Sequence, residues 1–274
     1  MKLITAFFMA WGNFFAVPCP LKLWDNNLRR LQLVFFPIVG LLAGGLWLAL
    51  WLLIRHTGLH MVLAAAVLCL YPYVISGFIH LDGFMDCQDA ILSRRDLPER
   101  QRILKDSRVG AFAVISVVIL FLLSFAAMYV CLDMVNLRGL TNSSLSPTLF
   151  GSLGGIKAFS FGIMLLILPA TSRCMSAISV LSYPPIGHSQ YKSSFDKKAN
   201  RPYVWIVTIL YMALVLLPCY FGFCDATYTL ALAGLVQALA VLYGRHQLGG
   251  MSGDIAGYSL TIGECSALLI YTIM

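Results

Sequence analysis

"SGFIHLDGFMDCQDAILSRR", residues 76–95, closes a long apolar run at Phe78 and then sets down Asp82, Asp86 and Asp89 within one short stretch. Only 12 of the 274 residues are acidic. An apolar run that stops at a charged loop, with a second apolar run opening near Val109, is the pattern of consecutive membrane helices. Composition extends it to the whole chain: 59% of residues are hydrophobic and 11% charged, against roughly half and a quarter in soluble domains. Mean hydropathy is +0.83.

Runs of about 18 to 22 apolar residues, the length that crosses a hydrocarbon core of about 30 Å, begin near Leu33, Leu59, Val109, Lys157, Tyr203, Thr227 and Ile255. The expectation is an all-α polytopic membrane bundle of about seven transmembrane helices, with residues 1–274 forming a single integral-membrane domain. The fourth run has Pro169 near its end, and the seventh carries Glu264 in its middle. "MKLITAFFMAWGNFFAVPCP", residues 1–20, is short for a span and is interrupted at Trp11, Gly12 and Asn13. It reads as an interfacial helix ended by Pro18 and Pro20. Gly40 and Gly44 read as a helix-packing surface.

A cytoplasmic N-terminus places sixteen of the nineteen Lys and Arg residues on the inner side, with Arg173 counted among the loop cations and only Arg55, Arg138 and Lys157 outside. That is a strong positive-inside bias. Nine acidic residues fall on the same side, which places any chemistry in the cytoplasm. The basic residues sit in short loops and form no stripe, which argues against nucleic acid. The eight cysteines contain no C-x-x-C and read as small apolar residues. The sequon at Asn142 reads as a plain outer loop.

At 100° per residue, positions 82, 86 and 89 share an arc of roughly 60° on a helix. At about 6 Å and an effective dielectric of about 20, each close pair costs on the order of 2 to 3 kcal/mol. A divalent cation turns that repulsion into attraction, and Mg²⁺ commonly sits between one or two carboxylates and substrate phosphates. The plainer alternative is a solvated helix turn. Just downstream, Lys105, Asp106, Ser107 and Arg108 precede a helix start, where cations and a hydroxyl favour an anion. "GGMSGDIAGYSLTIGE", residues 249–264, adds Asp254 among glycines, with Glu264 ten residues on. That segment reads either as a substrate cavity or as a Gly-rich turn with a glutamate paired to another helix. Arg173 and the segment 187–201, with His188, Lys192, Lys197 and Lys198, add positive charge. No P-loop, dinucleotide, zincin or nucleophile-elbow motif occurs.

"HLDGFMDCQDA" (residues 80–90), "KDSRVGAF" (105–112), "FPIVGLLAGG" (36–45) and "GGMSGDIAGYSLTIGE" together resemble the cobalamin synthase family, the adenosylcobinamide-GDP ribazoletransferases. Ala90 stands where the family pattern H-L-D-G-x-x-D-x-x-D-G has glycine. The resemblance implies a Mg²⁺-dependent transferase of late vitamin B12 assembly, in a prokaryotic cytoplasmic (inner) membrane with its active site facing the cytoplasm. It would join adenosylcobinamide-GDP to α-ribazole or its 5′-phosphate and release GMP. Its partners would be those substrates and the bilayer, with room for a homo-oligomer. Asp82, Asp86, Asp89 and Asp106 are then expected to bind metal, with Asp89 or Asp106 accepting the hydroxyl proton. His80, Lys105, Ser107, Arg108 and Arg173 would contact substrate, with Asp254 lining the cavity and Glu264 supporting it. Two other readings are a CDP-alcohol phosphotransferase, whose D-G and A-R spacing is missing here, and a cation transporter.

Overall fold

The computed structural model describes residues 1–135, 153–187 and 195–274, so Asn142, Arg138, His188 and Lys192 lie outside the described residues. Ten α-helices follow in order: α1 (Lys2–Phe14), α2 (Arg29–Thr57), α3 (Met61–Ile75), α4 (Ile79–Leu92), α5 (Leu97–Ile103), α6 (Ala111–Met134), α7 (Leu153–Ser182), α8 (Lys197–Tyr220), α9 (Cys224–Leu248) and α10 (Gly253–Tyr271). A 3₁₀ turn, Asn26–Leu28, leads into α2. The all-helical expectation holds across the described residues, whose one β-bridge pairs Pro185 with Met251.

Among the described residues five helices are long and apolar enough to cross a membrane: α2 with its leading turn, α6, α7, α8 and α9. Large apolar side chains on α6 and α8, such as Leu122, Ile209 and Leu216, face outward, as a lipid-facing surface requires. The count of seven needs two changes. The second predicted span is broken: α3 and α4 are bent by 88° and together make at most a sixth crossing. The seventh, α10, is a buried helix rather than a lipid-facing one; Gly257, Ser259, Thr261 and Gly263 lower its hydropathy and are all enclosed by neighbouring helices.

The bend between α3 and α4 has a local cause. Gly77 N–H bonds to Val74 O at 3.0 Å and Phe78 N–H to Tyr73 O at 2.8 Å, the paired closure of a helix that ends on a left-handed glycine. Gly77 has φ 63° and Phe78 φ 62°. Phe78 takes that conformation as a non-glycine residue, at a cost of about 1 to 2 kcal/mol, and the chain leaves at a right angle. The aspartates therefore lie on a separate short helix.

Pro169 does not end the fourth span. α7 runs 30 residues through it to Ser182, and its polar stretch folds back on its own backbone: Thr171 and Ser172 hydroxyls donate to Leu168 and Pro169 carbonyls at 3.0 and 3.1 Å. Arg173, counted in the sequence as a loop cation, is thus inside a helix and 2% exposed.

Gly40 and Gly44 set α2 against α7. A Cβ at Gly44 would run into the carbonyl oxygen of Leu166, and one at Gly40 into the backbone of Pro169 and Ala170. Gly44→Ala is expected to cost about 1 to 3 kcal/mol, because backbone must move to admit the methyl. A drop of several degrees in the apparent Tm of purified protein is the readout.

α1 and the Phe15 that follows it pack on α2, with Ala10 and Phe15 against Val39 and Ala43. Trp11, Gly12 and Asn13 do not interrupt it, and it stops at Phe14, ahead of both prolines. Trp11 Nε1–H reaches Val17 O at 2.9 Å and ties down the chain that follows.

Candidate active site

α4 is the helix that the 82–86–89 spacing anticipates, so the shared arc stands. Asp82 is exposed, while Asp86 and Asp89 are half-buried. Asp86 feels the like charges of Asp82, Asp254 and Asp89. The fourth carboxylate, Asp254, comes from the first turn of α10, where Ser252 caps the helix by accepting from Ile255 N–H at 3.2 Å and donating to Asp254 Oδ2 at 3.2 Å.

Two glycines allow that approach. A Cβ on Gly83 would stand 2.8 Å from Asp254 O and 2.9 Å from its Cα, and one on Gly257 would stand 3.0 Å from His80 O. Thr261 Oγ1 donates to the same His80 carbonyl at 3.3 Å. α4 and α10 are therefore in backbone-to-backbone contact, running in opposite directions.

The basic segment joins through Asp89. Gly110 N–H donates to Asp89 Oδ2 at 2.6 Å and Ala113 N–H to Oδ1 at 2.9 Å. α6 has no capping side chain of its own; Asp89 supplies the cap from α4 and satisfies two of the free N–H groups at that helix start. Gly110 is needed there, since a Cβ would collide with the Asp89 carboxylate. Asp89→Ala is expected to cost about 1 to 2 kcal/mol, as loss of a cap does. Faster amide hydrogen exchange in the 110–114 peptide than in α8 checks it.

Asp106 is committed elsewhere. Arg108 forks it at 2.8 to 3.2 Å through its guanidinium and adds its backbone N–H at 3.1 Å. These bonds hold the Asp106 carboxyl well below its usual range, at about 2. A carboxylate that acidic is a weak proton acceptor at neutral pH. Lys105, Ser107 and Arg108 are exposed beside it.

Arg173 and Glu264 stand apart from this surface. They meet at 3.2 Å with side chains 2% and 8% exposed. Glu264 Oε1 also accepts from Ser172 Oγ at 2.7 Å, and Arg173 Nη1 donates to Pro169 O at 2.9 Å. The glutamate within an apolar run is thus paired with a donor on another helix, and the guanidinium expected at a phosphate is spent on that pairing. His80 is buried between Phe14 and Phe36, ring centroids 6.3 and 5.8 Å away.

Sequence reasoning missed Gln237 on α9, which donates to Ser172 O at 2.8 Å and Ser176 Oγ at 3.1 Å. A glutamine inside an apolar run was the available signal. It also missed the seating of α5, whose Gln101 donates to Leu248 O at 2.8 Å and whose Arg100 bonds Gln247. No sequence signal marks that contact.

Apolar helices long enough to cross a bilayer, with carboxylates on a short broken helix where α6 and α10 begin, define a polytopic helical protein bearing an acidic site beside a cationic loop. Residues 6–272 match the family model described as cobalamin-5-phosphate synthase. The chain belongs to that family. Relatives named adenosylcobinamide-GDP ribazoletransferase include one from Clostridium perfringens (strain 13 / Type A), 31% identical over 266 residues, covering 97% of this chain and 96% of the relative. Another, from Clostridium botulinum (strain Alaska E43 / Type E3), is 33% identical over 268 residues with the same coverage. A third, from Lachnoclostridium phytofermentans, is 28% identical over 278 residues, covering 100% and 95%. No solved structure matches the chain.

Proposed function

We propose that this chain is an adenosylcobinamide-GDP ribazoletransferase, joining adenosylcobinamide-GDP and α-ribazole or its 5′-phosphate in cobalamin synthesis and releasing GMP. The observation that carries the reading is the convergence of three separate sequence segments on α4: Asp89 caps α6, Gly83 admits Asp254, and Asp82 and Asp86 lie on the α4 arc they share with Asp89. The reaction breaks the pyrophosphate: the ribazole 3′-hydroxyl attacks the cobinamide-side phosphorus and GMP leaves with the bridging oxygen.

The donor set suits Mg²⁺ shared with substrate. The carboxylates of Asp82 and Asp86 accept no hydrogen bond from the described residues, so their hard oxygens are available. Among the described residues no three acidic, histidine or cysteine groups could hold an ion by themselves. That pattern fits an ion held by one or two carboxylates and completed by phosphates and water. Asp82 and Asp86 would hold such an ion, which would supply charge neutralisation at the reacting phosphate oxygens.

The chain's own residues supply the rest. Lys105 and Ser107 are exposed in the loop that Asp89 anchors and supply a cation and a hydroxyl suited to phosphate oxygens. Arg108 keeps Asp106 ionised and, through it, stays fixed in that loop. Asp89 and Asp106 being engaged, Asp86 is the better-placed acceptor for the hydroxyl proton. The N-terminus and the site face the cytoplasm; with Arg173 removed from the loops, fifteen cations still oppose three.

Purified protein in detergent should convert adenosylcobinamide-GDP and α-ribazole to a cobalamin and GMP with Mg²⁺ present and stop in excess EDTA. Undiminished turnover in EDTA would remove the metal from the reaction. A phospholipid made from a CDP-alcohol, with no corrinoid product, would replace the reading altogether.

A further inference from the structure

We propose that Cys219 and Cys224 form a redox-active dithiol that closes into a disulfide across the α8–α9 turn. Their sulfurs lie 3.5 Å apart, and a disulfide requires about 2 Å with Cβ atoms roughly 4 Å apart. The sulfurs therefore need to approach by about 1.5 Å. The turn between them is already closed by its backbone. Phe221 and Phe223 N–H groups both donate to Pro218 O, at 3.1 and 2.9 Å, and Gly222 N–H donates to Cys219 O at 2.9 Å. Gly222 takes φ 86°, which lets the chain reverse in three residues.

Access separates this pair from the other thiols. Cys219 is exposed and Cys224 half-buried, whereas Cys69, Cys87, Cys131, Cys174 and Cys265 are buried. Cys19 is held at the N-terminal segment, with its thiol 3.1 Å from Leu21 O. The pair is also remote from the carboxylates. The far end of α9 meets α5 through Gln101 and Leu248, and the 25 residues of α9 separate the two ends by about 35 Å.

The step balances with a small-molecule disulfide as oxidant. The Cys219 thiolate attacks one sulfur of that disulfide and expels a thiol. The Cys224 thiolate then attacks Cys219 sulfur and expels the second thiol. One S–S bond forms and one breaks, the cysteines lose two electrons, and their two protons end on the released thiols.

The full-length protein in detergent is treated with glutathione disulfide, unfolded and alkylated with a maleimide before and after reduction. The expected result is a 219–224 peptide lighter by two hydrogens, with those two thiols protected until reduction and the other six alkylated throughout. Cys219→Ser should leave Cys224 carrying a glutathione adduct, and the Cys219→Ser/Cys224→Ser variant should show no change on reduction. Separately, oxidation should raise the apparent Tm of the parent and leave the double variant unmoved. Full alkylation of both thiols after oxidation, or a glutathione adduct on each without an internal bond, would overturn the proposal. Neither readout depends on turnover, so the result is independent of the catalytic reading.

Discussion

Asp86→Asn is expected to lower turnover by about a hundredfold or more and to raise the Mg²⁺ concentration needed for half-maximal rate. The substitution keeps the side chain's size on α4 and removes one negative charge from a group that already faces Asp82, Asp89 and Asp254. Folding should not suffer: relieving like-charge repulsion removes an unfavourable interaction of on the order of 2 kcal/mol per close pair. Activity and stability therefore move in opposite directions, a signature that a damaged fold cannot produce. Loss of one metal oxygen, or of the group that takes the hydroxyl proton, is worth orders of magnitude in rate. The two roles separate in a titration: a ligand defect is partly recovered at high Mg²⁺, a proton-transfer defect is not. Unchanged turnover together with unchanged Mg²⁺ dependence would return the α4 arc to a solvated face.

Arg173→Met should be among the most destabilising single substitutions in the chain. It leaves the Glu264 carboxylate enclosed with only the Ser172 hydroxyl, and an orphaned buried charge costs about 3 to 5 kcal/mol. For a chain of this size that corresponds to a fall in apparent Tm of about 10 °C. Arg173→Met combined with Glu264→Leu should recover most of the loss, because the desolvation cost of both charges disappears with them. Thermal unfolding of the two single variants and the double variant in one detergent gives the coupling directly. If the double variant were as unstable as the sum of the singles, the pair would not be interacting. The double variant should also keep measurable turnover if the pair is structural, whereas a phosphate-binding Arg173 would leave it inactive.

Much of the fold could be read from residue chemistry. Apolar runs located α2, α3, α6, α7, α8, α9 and α10 to within about six residues of their starts, and the Gly40–Gly44 spacing marked a helix-packing surface, which α7 fills. The 82–86–89 spacing gave a shared helix face. The α3–α4 bend is set locally by Gly77 and Phe78; the other failures share a cause, that hydropathy scores a residue without its partner. Pro169 and Arg173 look like the end of a helix until Glu264 and the Pro169 carbonyl are seen to receive the guanidinium. The run from Ile255 looks like a membrane span until α4, α7 and α9 are found closed round it. Asp106 and Asp89 look free until Arg108 and the α6 amides are found on them. Sequence placed the charges; only tertiary contact shows which of them are already engaged.

The notches at Gly83 and Gly257 carry one more implication. Gly83 opposes Asp254 while Gly257 opposes His80, so the two glycines, one on each helix, interlock like teeth of a ratchet that has been stopped. A slip of one turn, about 5.4 Å, would drive side chains into backbone at both places together. The Asp82–Asp86 edge and the Asp254 edge thus behave as jaws of a fixed gauge. A methyl at either position, in Gly83→Ala or Gly257→Ala, is therefore expected to change the spacing between these two edges.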